Sequence, residues 1–257
     1  DTAYVGVPNS LHFEFAVKAM EAHKNVIMEK PFTARLAEAE ELQRVALQRG
    51  RYLFEAVTLF YMDTFEILRN SLQHIGRVRL VQSNYSQFSS RYYRYLVGEI
   101  APAFDPALAG GALNDINIYN INLVVGLFGE PLKVVYFSNC GPNGIDTSGV
   151  CLMKYDGFVA SCTGAKDSAS PGFAIIQGEK GWIRINGIPS IAEEIECHYN
   201  NKEFFYNNRN YPHRMVPEFT SFVRMFENRD YTAMQVQLET TLSVMRTQER
   251  AHSSNKQ

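Results

Sequence analysis

The sequence has no large excess of charge of either sign and no long uninterrupted apolar run. Its 257 residues carry 25 Lys and Arg against 27 Asp and Glu, a formal net charge of -2. A nearly neutral chain offers no basic surface for nucleic acid or for an anionic membrane, so we expect neither partner. No apolar stretch is long enough to span a bilayer, and no signal peptide is visible. A composition of 46% hydrophobic and 20% charged residues is that of a globular protein.

Cysteine is also scarce, and its spacing excludes the common metal and redox motifs. The four cysteines are Cys140, Cys151, Cys162 and Cys197, and no two of them form a Cys-x-x-Cys pair. Most of them fall in strand-like sequence, so small buried thiols are the better interpretation and we expect no metal site. Unpaired thiols fit a reducing, cytoplasmic location.

Strand-like and helix-like patterns alternate through the first 56 residues. The patterns predict, in order, strand 2–7, helix 11–23, strand 25–29, helix 34–49 and strand 52–56. Short connections in a βαβαβ order imply parallel strands joined by right-handed crossovers. The N-terminal part of the chain is therefore predicted to be a parallel α/β unit.

The pattern changes after about residue 62. A helix is predicted at 63–73 and an alternating, antiparallel-type strand at 78–88. Residues 89–109, rich in Tyr and Arg, form an irregular stretch that is either a pocket-lining or interface loop or a solvated loop. A helix is predicted at 111–127, and strands follow near 133–140, 147–155, 158–165, 172–177, 181–186, 193–199 and 203–207, with closing helices at 217–228 and 235–252.

These patterns predict an α/β protein of two unlike parts. Residues 1–60 form the parallel part, and residues 61–257 form an α+β part with a large, mostly antiparallel open sheet. Asp156-Gly157 and the segment 178–181 carry the turn signals of two hairpins within that sheet.

The helix that starts after Gly110 and Gly111 carries a carboxylate and a phenol at a spacing of four residues. Asp115 and Tyr119 therefore lie on the same helix face, and most of the remaining face is apolar. One interpretation is a proton-transfer pair that faces a cleft. The other is a carboxylate favoured by the helix dipole, beside a core tyrosine. This segment alone leaves both interpretations open.

The segment Asn25-Val26-Ile27-Met28-Glu29-Lys30-Pro31 favours the first interpretation. Its apolar run is typical of a buried parallel strand, and Glu29 and Lys30 stand at the carboxyl end. Open α/β sheets bind ligands outside the carboxyl ends of their strands. The sequence therefore predicts a lysine ammonium in a binding crevice.

Several short motifs occur together in the same order as in a known family. They are Pro8-Asn9-Ser10-Leu11-His12, Glu29-Lys30-Pro31, Glu55-Ala56, Gly76-Arg77-Val78 and Gly110-Gly111-Ala112-Leu113-x-Asp115-x-x-x-Tyr119. With these motifs the chain resembles the glucose–fructose oxidoreductase / inositol dehydrogenase / MocA (Gfo/Idh/MocA) family over essentially its whole length. The tyrosine in the helix motif is most similar to the dihydrodiol dehydrogenases and to glucose–fructose oxidoreductase.

The resemblance implies a Rossmann-like dinucleotide-binding domain at 1–60, with its first βα units absent, and a substrate and dimerisation domain at 61–257. It implies NAD or NADP as cofactor, and hydride transfer to or from a sugar, polyol or dihydrodiol-type alcohol. The implied catalytic residues are Lys30, Asp115 and Tyr119. The implied cofactor contacts are Pro8, Asn9, His12, Glu29, Lys30, Glu55 and Ala56. A homodimer through the second-domain sheet is also implied.

The implied chemistry is physically reasonable. A free tyrosine has a pKa of about 10, and a nearby ammonium stabilises the phenolate. Lys30 would act in this way and hold the substrate oxygen, while Asp115 would orient the substrate hydroxyl or pair with Lys30. For His12, a surface position on the helix is an equally open alternative to cofactor binding.

Two features depart from the family pattern. Asn117 stands where the family commonly has glycine, and it could shape the floor of the pocket. More importantly, no Gly-x-Gly-x-x-Gly occurs in the sequence, although that motif cradles the dinucleotide pyrophosphate. We therefore expect a truncated chain that binds the dinucleotide poorly.

The sequence leaves two other functions open. The chain could be a non-catalytic dimerising or ligand-binding module derived from the family. It could also use the same motifs for another nicotinamide-dependent reaction, such as glycoside cleavage.

Overall fold

The first three strands form a small parallel sheet, as predicted. The structure, a computed structural model, describes residues 1–207 and 211–255. Strands β1 (Thr2–Val5), β2 (Asn25–Glu29) and β3 (Leu53–Ala56) pair in the order β1-β2-β3, and helices α1 (His12–Glu21) and α2 (Leu36–Arg49) connect them. Both strand pairs are parallel. α2 ends at Gly50, which adopts the left-handed conformation at φ 58°, as the sequence indicated.

The other eight strands form one large sheet in the order β11-β10-β9-β8-β4-β7-β6-β5. These strands are β4 (Val78–Ser86), β5 (Lys133–Cys140), β6 (Asp146–Lys154), β7 (Val159–Ala165), β8 (Phe173–Gly178), β9 (Gly181–Asn186), β10 (Glu194–Tyr199) and β11 (Lys202–Asn207). The helices that follow β3 are α3 (Asp63–Leu72), α4 (Tyr92–Leu96), α5 (Ile118–Phe128), α6 (Val216–Glu227) and α7 (Tyr231–Ser254). The α/β class predicted from the sequence is confirmed.

Strand β4 corrects one detail of the prediction. Its alternating pattern predicts an antiparallel strand, and β4 does pair antiparallel with β8, but it pairs parallel with β7. Alternation reports that one face of a strand is buried and does not report the direction of its neighbours. The two predicted hairpins, β6–β7 and β8–β9, are both present.

The last two helices of the chain pack on the small sheet. Phe54 of β3 stacks on Phe222 of α6 at 4.4 Å between ring centroids. Leu238 and Leu242 of α7 are buried in the same apolar cluster. The division of the chain near residue 60 stays a prediction, and these contacts extend across it.

Three of the four cysteines are buried, as expected, but Cys140 at the end of the edge strand β5 is exposed. As an edge strand, β5 has a neighbouring strand, β6, on one side only. None of the helices in the described part of the chain combines the length and the apolar composition that a bilayer crossing needs.

Candidate active site

The strand tip and the helix predicted to carry the chemistry meet in one cavity. Lys30 follows β2, and its Nζ donates hydrogen bonds to Oδ1 of Asp115 at 3.1 Å and to the backbone oxygen of Asp115 at 2.8 Å. The same ammonium lies 4.7 Å from the centroid of the Tyr119 ring. The three side chains thus lie together although Lys30 is 85 residues from Asp115.

The helix that carries Asp115 and Tyr119 is buried almost everywhere else. From Gly110 to Val125, these two are the only residues that are not buried. The first turn, Leu113–Asn117, is π-helical and runs directly into α5, where the sequence predicted one regular helix. π-Helical turns are rare and frequent at functional sites.

The two glycines before this helix lie so close to neighbouring atoms that a side chain would not fit at either position. Gly111 has φ +103°, and a Cβ there would overlap the carboxylate of Asp146. A Cβ at Gly110 would lie 2.7 Å from the backbone oxygen of Pro102. Oδ2 of Asp146 accepts a hydrogen bond from the backbone N–H of Leu113 at 2.6 Å. Asp146 therefore caps the start of the helix, and no local sequence pattern indicates this role.

A second lysine, which sequence reasoning missed, reaches the same carboxylate. Nζ of Lys166 donates a close hydrogen bond to Oδ2 of Asp115 and another to the backbone oxygen of Ala103 at 3.2 Å. Lys166 directly follows β7, and its ammonium lies 4.7 Å from the Phe104 ring centroid. The only available signal was a lysine at the end of a strand, which is too common to indicate a site. Asp115 thus lies between two ammonium groups.

The charges shift the pKa values of all three groups. Burial raises the pKa of Asp115, but the charges of Lys30 and Lys166 outweigh it and hold the pKa below its ordinary value. Burial lowers the pKa of Lys30, but Tyr119 and Asp115 outweigh it and raise the pKa above the ordinary value. For Lys166, burial dominates, and its pKa is lowered in spite of Asp115. Asp115 is therefore ionised at neutral pH.

The cavity around these groups has a volume of about 370 Å³. Besides the three predicted residues and Lys166, it is lined by Tyr85, Gln87, Phe88, Ser89, Ser90, Arg91, Ala103 and Ile116. Residues 89–91 and Ala103 thus line the cavity, whereas Tyr93 and Val97 of the same irregular stretch are 71% and 77% exposed. Part of the stretch 89–109 is therefore a pocket-lining loop, and part of it is a solvated loop, as the two alternative interpretations proposed.

Asn117 does not lie on the floor of the cavity, because it is completely buried under the helix. Its Nδ2 donates to the backbone oxygen of Cys162 in β7 at 3.0 Å. Its Oδ1 accepts from Asn120, which also bonds the backbone oxygen of Thr163 and the hydroxyl of Ser83. This buried network attaches the helix to β4 and β7.

His12 is fully buried, so its predicted alternative position on the helix surface is wrong. Its Nε2 lies 2.9 Å from the backbone oxygen of Val7, and its Nδ1 lies 3.0 Å from that of Pro31 and 3.3 Å from that of Phe32. The imidazole therefore joins the loops that follow β1 and β2. The role of His12 in cofactor binding stays a prediction. In this arrangement His12 would act by holding the two loops in place and would not contact the cofactor itself.

The other predicted cofactor residues lie at the carboxyl ends of the three parallel strands. Glu29 accepts a close hydrogen bond from Tyr4, and Asn9 donates to the backbone oxygen of Ala109 at 2.9 Å. Glu55 is buried beside Ala56, and its Oε2 accepts from Thr241 at 2.9 Å. Burial raises the pKa of Glu55 to about 7. Pro8 is half-buried at the start of the turn that Asn9 continues.

Comparison with known proteins identifies the family. Residues 1–57 match the family described as an oxidoreductase family with an NAD-binding Rossmann fold, and residues 71–184 match the GFO/IDH/MocA C-terminal domain. The chain belongs to the Gfo/Idh/MocA family, which confirms the resemblance inferred from the motifs.

Two of the similar curated proteins are named as dehydrogenases. The chain is 39% identical over 199 residues to the scyllo-inositol 2-dehydrogenase (NADP(+)) IolU of Bacillus subtilis, a match that covers 77% of this chain and 60% of that protein. It is 32% identical to the trans-1,2-dihydrobenzene-1,2-diol dehydrogenase of Danio rerio over 72% of this chain and 54% of that one. The chain thus spans between 54% and 60% of the length of these curated relatives.

Solved structures share the fold. The 3-ketoreductase KijD10 of Actinomadura kijaniata, in complex with TDP-benzene and NADP, superposes with a TM-score of 0.83 at 19% identity, covering 99% of this chain and 77% of that one. The aldose-aldose oxidoreductase of Caulobacter crescentus gives 0.79 at 22% identity, covering 100% and 77%.

Proposed function

We propose that the protein is an NAD(P)-dependent oxidoreductase that transfers hydride to or from a CH–OH carbon of a sugar, polyol or dihydrodiol. The convergence of Lys30, Asp115 and Tyr119 in one solvent-accessible cavity carries this proposal. The names of the relatives, an inositol dehydrogenase and dihydrodiol dehydrogenases, support the substrate class.

Each of the three residues has a separate role in the proposed reaction. The Tyr119 hydroxyl exchanges a proton with the substrate oxygen as the carbon changes oxidation state. The Lys30 ammonium binds the same oxygen and stabilises the charge that develops on it. Asp115 keeps Lys30 charged and in place, since its carboxylate accepts the Lys30 hydrogen bond at 3.1 Å.

The residues at the strand ends fit the nicotinamide end of a dinucleotide. Glu29 ends β2 and Lys30 follows it, and open α/β sheets bind ligands outside the carboxyl ends of their strands. A bound nicotinamide supplies the hydride acceptor or donor for the reaction. NADP is favoured because the relative IolU is named as NADP-dependent. In this proposal, residues 1–60 belong to the cofactor domain and residues 61–257 to the substrate domain.

We also propose a homodimer that forms through the open face of the large sheet. On that face Phe137 lies opposite Val150, and Leu152 lies opposite Val135. Phe137 is 63% exposed and Phe205 on the same face is 68% exposed. Polar side chains, among them Gln82 and Arg184, share this face with the exposed aromatic residues. Exposed aromatic side chains are enriched at protein interfaces. The unpaired cysteines favour a cytoplasmic location, and the net charge of -2 favours neither nucleic acid nor membranes as partners.

A cofactor and substrate screen tests the proposal. The longest form of the protein that the gene encodes is incubated with NAD or NADP and with inositols, aldoses or trans-dihydrodiols. We expect reduced cofactor to form with at least one of these alcohols, and Lys30→Met to abolish it. Binding of an alcohol with no turnover under any cofactor would contradict the proposal and support the non-catalytic ligand-binding module instead.

A further inference from the structure

The Asp115 carboxylate uses its two oxygens for two different lysines. Oδ1 accepts from Lys30, and Oδ2 accepts from Lys166. A carboxylate is planar, so a partner on one oxygen fixes the direction in which the other points. Without a partner on Oδ2, the group could rotate about its Cβ–Cγ bond and turn its acceptor oxygens away from Lys30 toward the open cavity.

Lys166 is held more firmly than the carboxylate it contacts. Its side chain is only 4% exposed, whereas that of Asp115 is 39% exposed. Its backbone N–H donates to Thr147 at 2.8 Å, and its backbone oxygen accepts from Ser89 at 2.8 Å. The bond from its Nζ to Ala103 fixes the ammonium itself. Lys166 therefore has a fixed position of its own, and the orientation of the Asp115 side chain depends on it.

We infer that Lys166 is a positioning residue for the active site, which holds Oδ2 of Asp115 so that Oδ1 keeps the Lys30 ammonium beside Tyr119. This inference rests on the proposed function. Lys166 acts through Asp115, since two of the three N–H donors of its ammonium are used by Asp115 and Ala103. The competing role is purely structural, a buried ion pair that affects stability and leaves catalysis unchanged.

The charged surroundings of Asp115 predict a readout that a structural role would not change. The groups that face it are Lys30 after β2, Lys166 after β7, Tyr119 on α5 and Tyr85 on β4, with Arg91 in the wall of the same cavity. Only the first two are charges that lower the pKa of Asp115. Removal of the Lys166 charge should therefore raise that pKa.

The test compares Lys166→Met with Lys166→Ala and with the control Lys18→Met, which removes a lysine on the exposed surface of α1. We expect Lys166→Met to lower kcat about 10²-fold, because a misplacement of about 1 Å has that effect. KM should change little, and the acidic limb of the pH profile should move to higher pH. Lys18→Met should behave as wild type.

Chemical rescue separates positioning from folding. The cavity left by Lys166→Ala can admit a small alkylamine, so propylamine should restore part of kcat. The Met side chain fills that space, so propylamine should not restore Lys166→Met. Rescue of kcat without a change in melting temperature is expected for a positioning residue.

A carboxyl titration does not depend on turnover. With carbon-13-labelled aspartate, the Asp115 signal is identified by its loss in Asp115→Asn. We expect this signal to titrate below the ordinary range in wild type and at higher pH in Lys166→Met. An ordinary pKa of Asp115 in wild type would overturn the inference even if neither Lys166 variant folds.

The outcomes distinguish the two proposals. Unchanged kcat and pH profile in a folded Lys166→Met, in an enzyme that turns over alcohols, would overturn the role of Lys166 alone. An unshifted Asp115 titration would do the same. Absence of turnover in wild type would overturn the proposed function, while the carboxyl titration would still decide whether Lys166 controls Asp115.

Discussion

Replacement of Tyr119 by phenylalanine removes one oxygen atom and little else. The ring contacts do not depend on that atom, since the Lys30 ammonium lies 4.7 Å from the ring centroid and the Tyr85 ring lies 5.5 Å away. Both contacts persist in the variant. The ring is half-buried at the cavity wall, so no new void forms.

The structure therefore predicts a large effect on rate and a small effect on stability. General acid–base catalysis contributes roughly 10²–10⁴ in rate, which equals about 2.7–5.4 kcal/mol of activation free energy. One lost hydroxyl hydrogen bond changes the free energy of unfolding by about 1 kcal/mol. The two effects thus differ by severalfold, and they can be measured separately.

The assay measures kcat and KM for the best alcohol, cofactor affinity by NAD(P)H fluorescence, and the melting temperature. We expect Tyr119→Phe to lose kcat by at least about 10²-fold, with cofactor affinity and melting temperature close to wild type. Tyr93→Phe, an exposed tyrosine outside the cavity wall, is the matched control. Turnover close to wild type in Tyr119→Phe would refute the reasoning. If Tyr85→Phe lost turnover instead, Tyr85 and not Tyr119 would be the residue that exchanges the proton with the substrate.

Three further predictions concern the helix start, the buried carboxylate and the open sheet. Gly111→Ala should lower the free energy of unfolding by at least about 1 kcal/mol more than Gly144→Ala. Both glycines have positive φ, but only Gly111 meets Asp146, and urea titration measures the difference. The pKa of Asp115 is lowered in the folded protein, so the ionised carboxylate stabilises the fold. This contribution to the free energy of unfolding is complete above the ordinary carboxylate pKa of about 4 and is lost as the pH falls. In urea titrations at decreasing pH, the free energy of unfolding should fall less steeply with pH in Asp115→Asn than in wild type. Equal pH dependence in the two proteins would contradict this prediction. Phe137→Glu should give a monomer in light scattering, whereas Val236→Glu on the exposed side of α7 should leave the dimer.

Most element positions could be predicted because they depend on local patterns. The small sheet was predicted from short apolar runs, and its helix α2 from periodicity with a glycine stop. The hairpin at 178–181 was predicted from its two glycines, and Gly178 does pair with Gly181. Each of these signals lies within a few residues of the feature it specifies.

The missed contacts around the candidate site depend on residues that are distant in sequence. Lys166 is 51 residues from Asp115, and Asp146 is 33 residues from Leu113. The burial of His12 depends on loops after two different strands. No local pattern specifies such contacts, and the motif resemblance covered Lys30, Asp115 and Tyr119 but none of their supporting residues.

The position of Lys30 relative to the helix depends on α7, which contacts both β3 and α5. At one point Thr241 of α7 donates to Glu55 at the end of β3. Two turns further on, Gln248 donates to Asn114 at 2.7 Å, next to Asp115. Both bonds are buried, so both resist rearrangement. The small sheet that carries Lys30 and the helix that carries Asp115 are thus fixed to the same helix, and α7 sets the distance on which the proposed chemistry depends.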